Sequence, residues 1–295
     1  MTTATAFTRM FGCSLPIQQA AFGGAATPAL ALAVSRAGGL GMLSGIVGAD
    51  ALRRQLDDVP EGAAVGVNFL VPFLDPAVLE AAAARSPLCE MFWGDPDPRL
   101  VDLVHAAGSR AGWQVGSVGE ARAAADAGCD LVVVQGVEAG GHVRGTTPLI
   151  QLLAAVRDVL DLPIVAGGGI GTAAAVSTAL GAGADAVRIG TRLLAAEESA
   201  AHPDYVAALI AAGADDTVLT TAFGTGWPDA PHRVLRSAVS AGEALGPAQS
   251  WTPDWPTADF TGEVSARALY AGTSVGAVHR RQPAARIIAE LMASA

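Results

Sequence analysis

The feature that most constrains this chain is a regular alternation. Eight short apolar runs, each of strand length, are separated by seven alanine-rich stretches of helical length. The runs span 17–21, 40–44, 64–69, 88–93, 112–115, 131–134, 163–166 and 186–189, and the helical stretches 27–37, 49–57, 75–85, 97–107, 118–127, 148–160 and 172–181. Strands that alternate with helices must lie parallel in one sheet, and eight of them predict a closed (β/α)8 TIM barrel of the α/β class rather than an open sheet. A weak internal repeat marks the unit. AVSRAGGLGMLSG, AAADAGCDLVVVQG and TALGAGADAVRIG each run from helix through Ala-Gly and across a strand to Gly45, Gly136 or Gly190. Gly38, Gly128 and Gly183 are placed to cap the helices in the left-handed conformation. Asp130 and Asp185 open their strands on the opposite, stability face of the barrel and read as structural.

After Gly190 the pattern changes. Residues 191–199 look like the start of an eighth helix, whereas 200–262 are rich in Pro, Trp, Thr and Asp and contain GTGWPDAPHR and SWTPDWP. Such turn-forming, aromatic sequence suits either a subdomain or lid inserted after strand 8 or a docked surface excursion, and both readings stand. The expected organisation is a barrel from 1–199 plus 263–295, closed by a helix at 283–292, with 200–262 covering the substrate.

Composition removes several classes of function. The formal charge of -10 disfavours nucleic acid and anionic membrane surfaces as partners. All eighteen basic residues are arginine, so Schiff-base chemistry on lysine and a GK[ST] phosphate loop are absent. Cys13, Cys89 and Cys129 form no CxxC pair, and the five histidines show no HExxH or HxH spacing, so no metal is expected. No secretory signal or membrane-length apolar segment is seen, and a cytoplasmic protein is the expectation. AspProAspPro at 95–98 reads as helix entry rather than a carboxylate dyad.

The residues that could carry chemistry fall at the carboxyl ends of the strands. Ala166-Gly-Gly-Gly-Ile-Gly171 follows the seventh strand, and Gly190 with Thr191 follows the eighth. Backbone N–H groups in two such loops form the recurrent phosphate site of this barrel. In VVVQGVEAGGHVRG, after the sixth strand, His142 could exchange a proton with a substrate brought close by Gly140 and Gly141. Glu138 could orient it or simply be solvated. Gln135 and Asn68 each present an amide donor and acceptor, suited to a heterocycle edge or to loop backbone.

Taken in order, PIQQAAFGG, TPALALAVSRAGGLGMLSG, VGVNFLVP, VVVQGVEAGGHVRG, PIVAGGGI and AVRIGTRLLAAEES resemble the nitronate monooxygenase family, formerly called 2-nitropropane dioxygenases. The likeness covers roughly residues 14–200 and continues more loosely through YAGTSVG. It implies an FMN-dependent flavoprotein that oxidises alkyl nitronates, and some nitroalkanes, with dioxygen to carbonyl compound and nitrite. It places Ala20, Ala21, Phe22, Asn68 and Gln135 around the flavin ring, Gly140 and Gly141 alongside it, and the phosphate at Gly167, Gly168, Gly190 and Thr191. It makes His142 the catalytic base, of near-neutral pKa, toward neutral nitroalkanes. FMN-dependent enoyl-thioester reductases share the histidine motif, so a reductase using NAD(P)H is the alternative, and a non-redox barrel binding a phosphorylated metabolite is the third. Small-molecule substrate and dioxygen are the implied partners, and a homodimer is compatible with the reading. Ala21 and Phe22 stand where the family commonly has Pro-Met, and Thr273 where it often has Gln, which bears on substrate choice.

Overall fold

The computed structural model describes residues 4–245, 251 and 253–293. Eight parallel strands form the barrel: β1 (Ile17–Gln19), β2 (Gly41–Ser44), β3 (Val65–Leu70), β4 (Leu88–Phe92), β5 (Arg110–Val115), β6 (Leu131–Gln135), β8 (Ile164–Gly167) and β9 (Ala186–Ile189), with the two-residue β7 (Gly141–His142) outside it. The hydrogen-bonded order is β1-β9-β8-β6-β5-β4-β3-β2. The ring closes between β1 and β2, where Leu40 N–H donates to Ile17 O (2.8 Å) and Gln19 N–H to Leu40 O (2.9 Å). The seven predicted helices all form, each within two residues of the expected ends apart from the helix Leu149–Arg157, which stops three residues short. Gly38, Gly128 and Gly183 have φ of +98°, +92° and +100°, as the repeat requires.

Side-chain alternation divides the core in two. Val65, Val67, Val132, Val134, Val187 and Ile189 point outward and pack against the helices, while Leu40, Met42, Leu88, Leu131, Val133, Val165 and Ala186 fill the barrel interior. Phe7, from the helix Ala6–Phe11, is wholly buried against that inner cluster and plugs the amino-terminal end. The strand-opening acids are structural, as expected. Asp130 accepts from Ala111 N–H (2.8 Å) and pairs with His105 (2.7 Å) and Arg110 (2.9 Å), and Asp185 accepts from Ile164 N–H (3.0 Å). Asp97 caps the helix Pro98–Ala106. Burial pushes the thiols of Cys89 and Cys129 up to about 12, so neither is a nucleophile.

The eighth helix departs from expectation. Only Thr191–Leu194 is helical, because the chain beyond it is drawn to the closing segment. Gln282 N–H donates to Ala195 O (3.3 Å), Glu197 N–H to Gln282 O (3.1 Å), and the Glu198 carboxylate accepts from Ala284 N–H (2.9 Å). Helix Pro203–Ala211 then starts afresh behind His202. Next come a hairpin of β10 (Thr217–Thr220) and β11 (His232–Leu235) and the helix Arg236–Leu245. A second buried cluster, including Tyr205, Leu209, Phe223, Val234 and Trp251, joins this excursion to Leu269, Ala271 and Val275. Among the described residues no helix is long and apolar enough to cross a membrane.

Candidate active site

A cavity of about 540 Å³ opens at the carboxyl ends of the barrel strands. The twelve residues that the family resemblance places at the site all line it: Ala20, Ala21, Phe22, Asn68, Gln135, Gly140, Gly141, His142, Gly167, Gly168, Gly190 and Thr191; Glu138 does not. Topology brings them together, since each stands at or just past the end of a strand and all parallel strands of a barrel end on one face.

One wall is backbone. Gly168 and Gly169 have φ of +124° and +72°, in the region that favours glycine. A Cβ on Gly168 would lie 3.1 Å from Gly136 O, and one on Gly140 would lie 2.4 Å from Gly272 N. The loops after β6 and β8 and the segment at 272 therefore approach so closely that side chains at these glycines are excluded.

The floor is polar, which the sequence reading did not anticipate. Arg188 of β9 donates from Nε and Nη2 to Gln18 Oε1 (3.1 and 2.8 Å), from Nη1 to Gln114 Oε1 (2.6 Å), and from Nη2 to the Glu90 carboxylate. Asn68 Nδ2 donates to Glu90 Oε1 (2.9 Å) and Gln18 Nε2 to Glu90 Oε2 (3.2 Å). The signal lay in the strands themselves: a charge at the centre of LCEMF and of AVRIG, and glutamines in PIQQ and GWQV, are out of place in an apolar barrel.

His142 lines the same cavity from β7, two residues beyond Gly140. That strand pairs antiparallel with β11 of the excursion, setting His142 against His232 and Gly141 against Arg233. Gln135 fixes the loop from inside: its Nε2 donates to His142 O (2.8 Å) and its Oε1 accepts from Arg144 N–H (3.3 Å). The Gln135 amide is thus engaged with loop backbone, and the Asn68 amide with Glu90. Arg233 holds the loop from outside, donating to Val137 O (2.9 and 3.2 Å).

Aromatic rings enclose the His142 imidazole. Trp227 lies 4.3 Å away and tilted by 32°, with His232 at 5.3 Å, Trp93 at 5.5 Å and Tyr270 at 5.8 Å. Trp93 is the one non-glycine residue with positive φ (+64°) among the described residues, a strained backbone held beside the site. Burial, with a smaller contribution from His232, pulls the His142 pKa down to about 3. This corrects the near-neutral value expected from sequence: an open glycine loop predicts a solvated imidazole, whereas the ring cluster removes the water that would stabilise its charge. His232 is fully buried and its pKa is likewise lowered by burial. Its Nδ1–H donates to Ala230 O (2.9 Å), leaving Nε2 without a partner among the described residues.

Glu138 does not orient His142; it is half-buried at the start of a helix. Both carboxylate oxygens accept from Leu149 N–H (3.2 and 3.0 Å), supplying the cap that the helix Leu149–Arg157 otherwise lacks. Trp93, Trp227, His232 and Tyr270 were not singled out, because they come from three segments far from one another and from His142 in sequence; only the aromatic character of GTGWPDAPHR hinted at two of them. No cluster of metal-ligating side chains occurs among the described residues.

Comparison with known proteins agrees with this architecture. A family model described as nitronate monooxygenase matches residues 4–79 and 61–294. A nitronate monooxygenase of Neurospora crassa is 31% identical over 89% of this chain and 84% of its own length. Among solved structures, FabK from Thermotoga maritima superposes with a TM-score of 0.85 at 28% identity, over 99% of this chain and 96% of that one. Nitroalkane oxidase from Streptomyces ansochromogenes gives a TM-score of 0.79 at 30% identity, over 98% and 97%.

Proposed function

Because the chain belongs to the nitronate monooxygenase family, whose members are flavin-dependent oxidoreductases, we propose that it binds FMN in the 540 Å³ cavity and oxidises alkyl nitronates with dioxygen to carbonyl compound and nitrite. The observation that carries the reading is the meeting, in one chamber, of a glycine-built backbone wall and His142. The cavity fits the cofactor. Gly167, Gly168, Gly190 and Thr191 line the cavity at the ends of two neighbouring strands, where backbone donors would suit a phosphate. Ala20, Ala21 and Phe22 line an apolar slot, and the volume lies within the usual range for ligand sites. When bound, FMN supplies the electron acceptance that no side chain here can provide.

The chain's own residues then position substrate. With its pKa pulled down to about 3 by burial, His142 is neutral at neutral pH. It accepts a hydrogen bond or proton but carries no charge, and it is a weak base toward a neutral nitroalkane. A nitronate arrives already deprotonated, so the enclosure of His142 favours nitronates over nitroalkanes. Residues 200–262 act as the substrate cover, contributing Tyr205, Trp227 and Trp255 to the cavity lining.

The test is oxygen uptake and nitrite release with an alkyl nitronate, measured beside flavin absorbance under anaerobic conditions. Nitrite formation and anaerobic bleaching by nitronate are expected. Bleaching by NADH, with no response to nitronate, would reassign the enzyme as a reductase.

A further inference from the structure

The ion pair under the cavity has no role in the reading above. Glu90 is fully buried and the Arg188 side chain only 9% exposed. Removing two ions from water is expensive, and well-packed apolar residues often replace a buried pair with a gain in stability. Beneath this layer Leu40, Met42, Leu88, Leu131, Val165 and Ala186 fill the barrel with apolar side chains, so the core there is built without charge. The pair is also asymmetric. Arg188 lines the cavity, whereas Glu90 lies beneath it and does not. Of the five guanidinium N–H groups, four are taken by Gln18 (twice), Gln114 and Glu90. One Nη1 hydrogen is left over among the described residues, on the one member of the pair that faces the chamber.

We infer that Arg188 is an electrostatic positioning residue for the cofactor, presenting a fixed positive charge and a spare donor that favour the reduced, electron-rich flavin over the oxidised one. Glu90, Gln18 and Gln114 hold the guanidinium in place, so no reorganisation is needed when the flavin gains charge. Glu90 also attenuates the field, being farther from the cavity than the charge it balances. The inference rests on the FMN reading, and its test separates the two.

Two variants report on sign. Glu90→Gln removes the counter-charge and leaves the cation. The double variant Arg188→Met with Glu90→Gln removes both charges in side chains of similar length, leaving no buried ion unpaired. Each protein is reconstituted with FMN, its flavin content and thermal melting are checked, and the two-electron midpoint potential is measured against a reference dye. Expected is at least a tenfold change in the ratio of affinities for reduced and oxidised FMN, about 30 mV for a two-electron couple. The shift should be upward in Glu90→Gln and downward in the double variant. A purely structural pair would give no such opposition. Potentials that stay together, or move in the same direction, in proteins that bind FMN stoichiometrically overturn the inference alone. Loss of FMN from both variants but not the wild type makes the pair a retention device and also overturns it. Wild-type protein that cannot take up FMN overturns the cofactor reading and the inference with it.

Discussion

Trp227→Ala should raise the pKa of His142, and the size of the rise follows from the ring geometry. His142 lies near 3 instead of the ordinary 6.5, chiefly because burial penalises its charged form. Four rings share in that burial, and Trp227 is both the nearest, at 4.3 Å, and the most nearly parallel. Removing it opens one face of the imidazole while His232, Trp93 and Tyr270 stay, so roughly one to two pKa units should return, about 1.4 to 2.7 kcal/mol. The midpoint should move to about 4 to 5. Histidine ring shifts followed by NMR across pH would report it, with His142→Ala identifying the resonance among the chain's five histidines. A midpoint that stays near 3 would show that Trp227 does not desolvate His142. Linkage gives a second readout. Between about pH 6.5 and 3 the unfolded chain binds a proton at His142 that the folded protein does not. Its share of stability is therefore full above that window and is lost as pH falls through it. In Trp227→Ala the loss should begin at the same pH and stop sooner, so the drop in urea midpoint between pH 7 and pH 4 should be smaller than in the wild type.

Glu138→Ala should destabilise the protein by about 1 kcal/mol, the usual value of a helix cap, because it strips both acceptors from Leu149 N–H. Thermal melting would measure it, and an accompanying change in the His142 titration would contradict the capping role. Gly168→Ala forces a side chain onto a backbone at φ +124° and places its Cβ 3.1 Å from Gly136 O. It should cost more than about 1 kcal/mol and lower FMN content after dialysis; unchanged retention would argue that this loop does not hold the phosphate.

The barrel was legible because its signals are local. Strand-length apolar runs, helix-length alanine stretches and the capping glycines at 38, 128 and 183 each depend on a few neighbouring residues, and every one of the eight strands formed within two residues of its expected ends. The glycine wall was legible for the same reason, since strand-to-helix turns announce themselves in sequence. What escaped depends on distance in sequence. Glu90 and Arg188 are 98 positions apart, and each alone looks like a flaw in an apolar strand. The low pKa of His142 comes from rings at 93, 227, 232 and 270, which no window around 142 contains. Glu138 was misread because the helix it caps begins eleven residues later.

The pairing of Gly141–His142 with His232–Arg233 has a consequence for how this chain can vary. Side chains alternate between the two faces of a strand, so slipping the register by one residue would exchange them. The connection from Thr220 to His232 sets that register and carries Trp227 within it. A single inserted residue that reached the pairing would set Arg233 or Pro231 opposite His142 and turn the ring cluster inside out, with every active-site residue still in the sequence. Among relatives of this protein, the length of the connection should therefore be constrained more tightly than its composition, and alignments that place gaps there would mark enzymes with a differently built chamber.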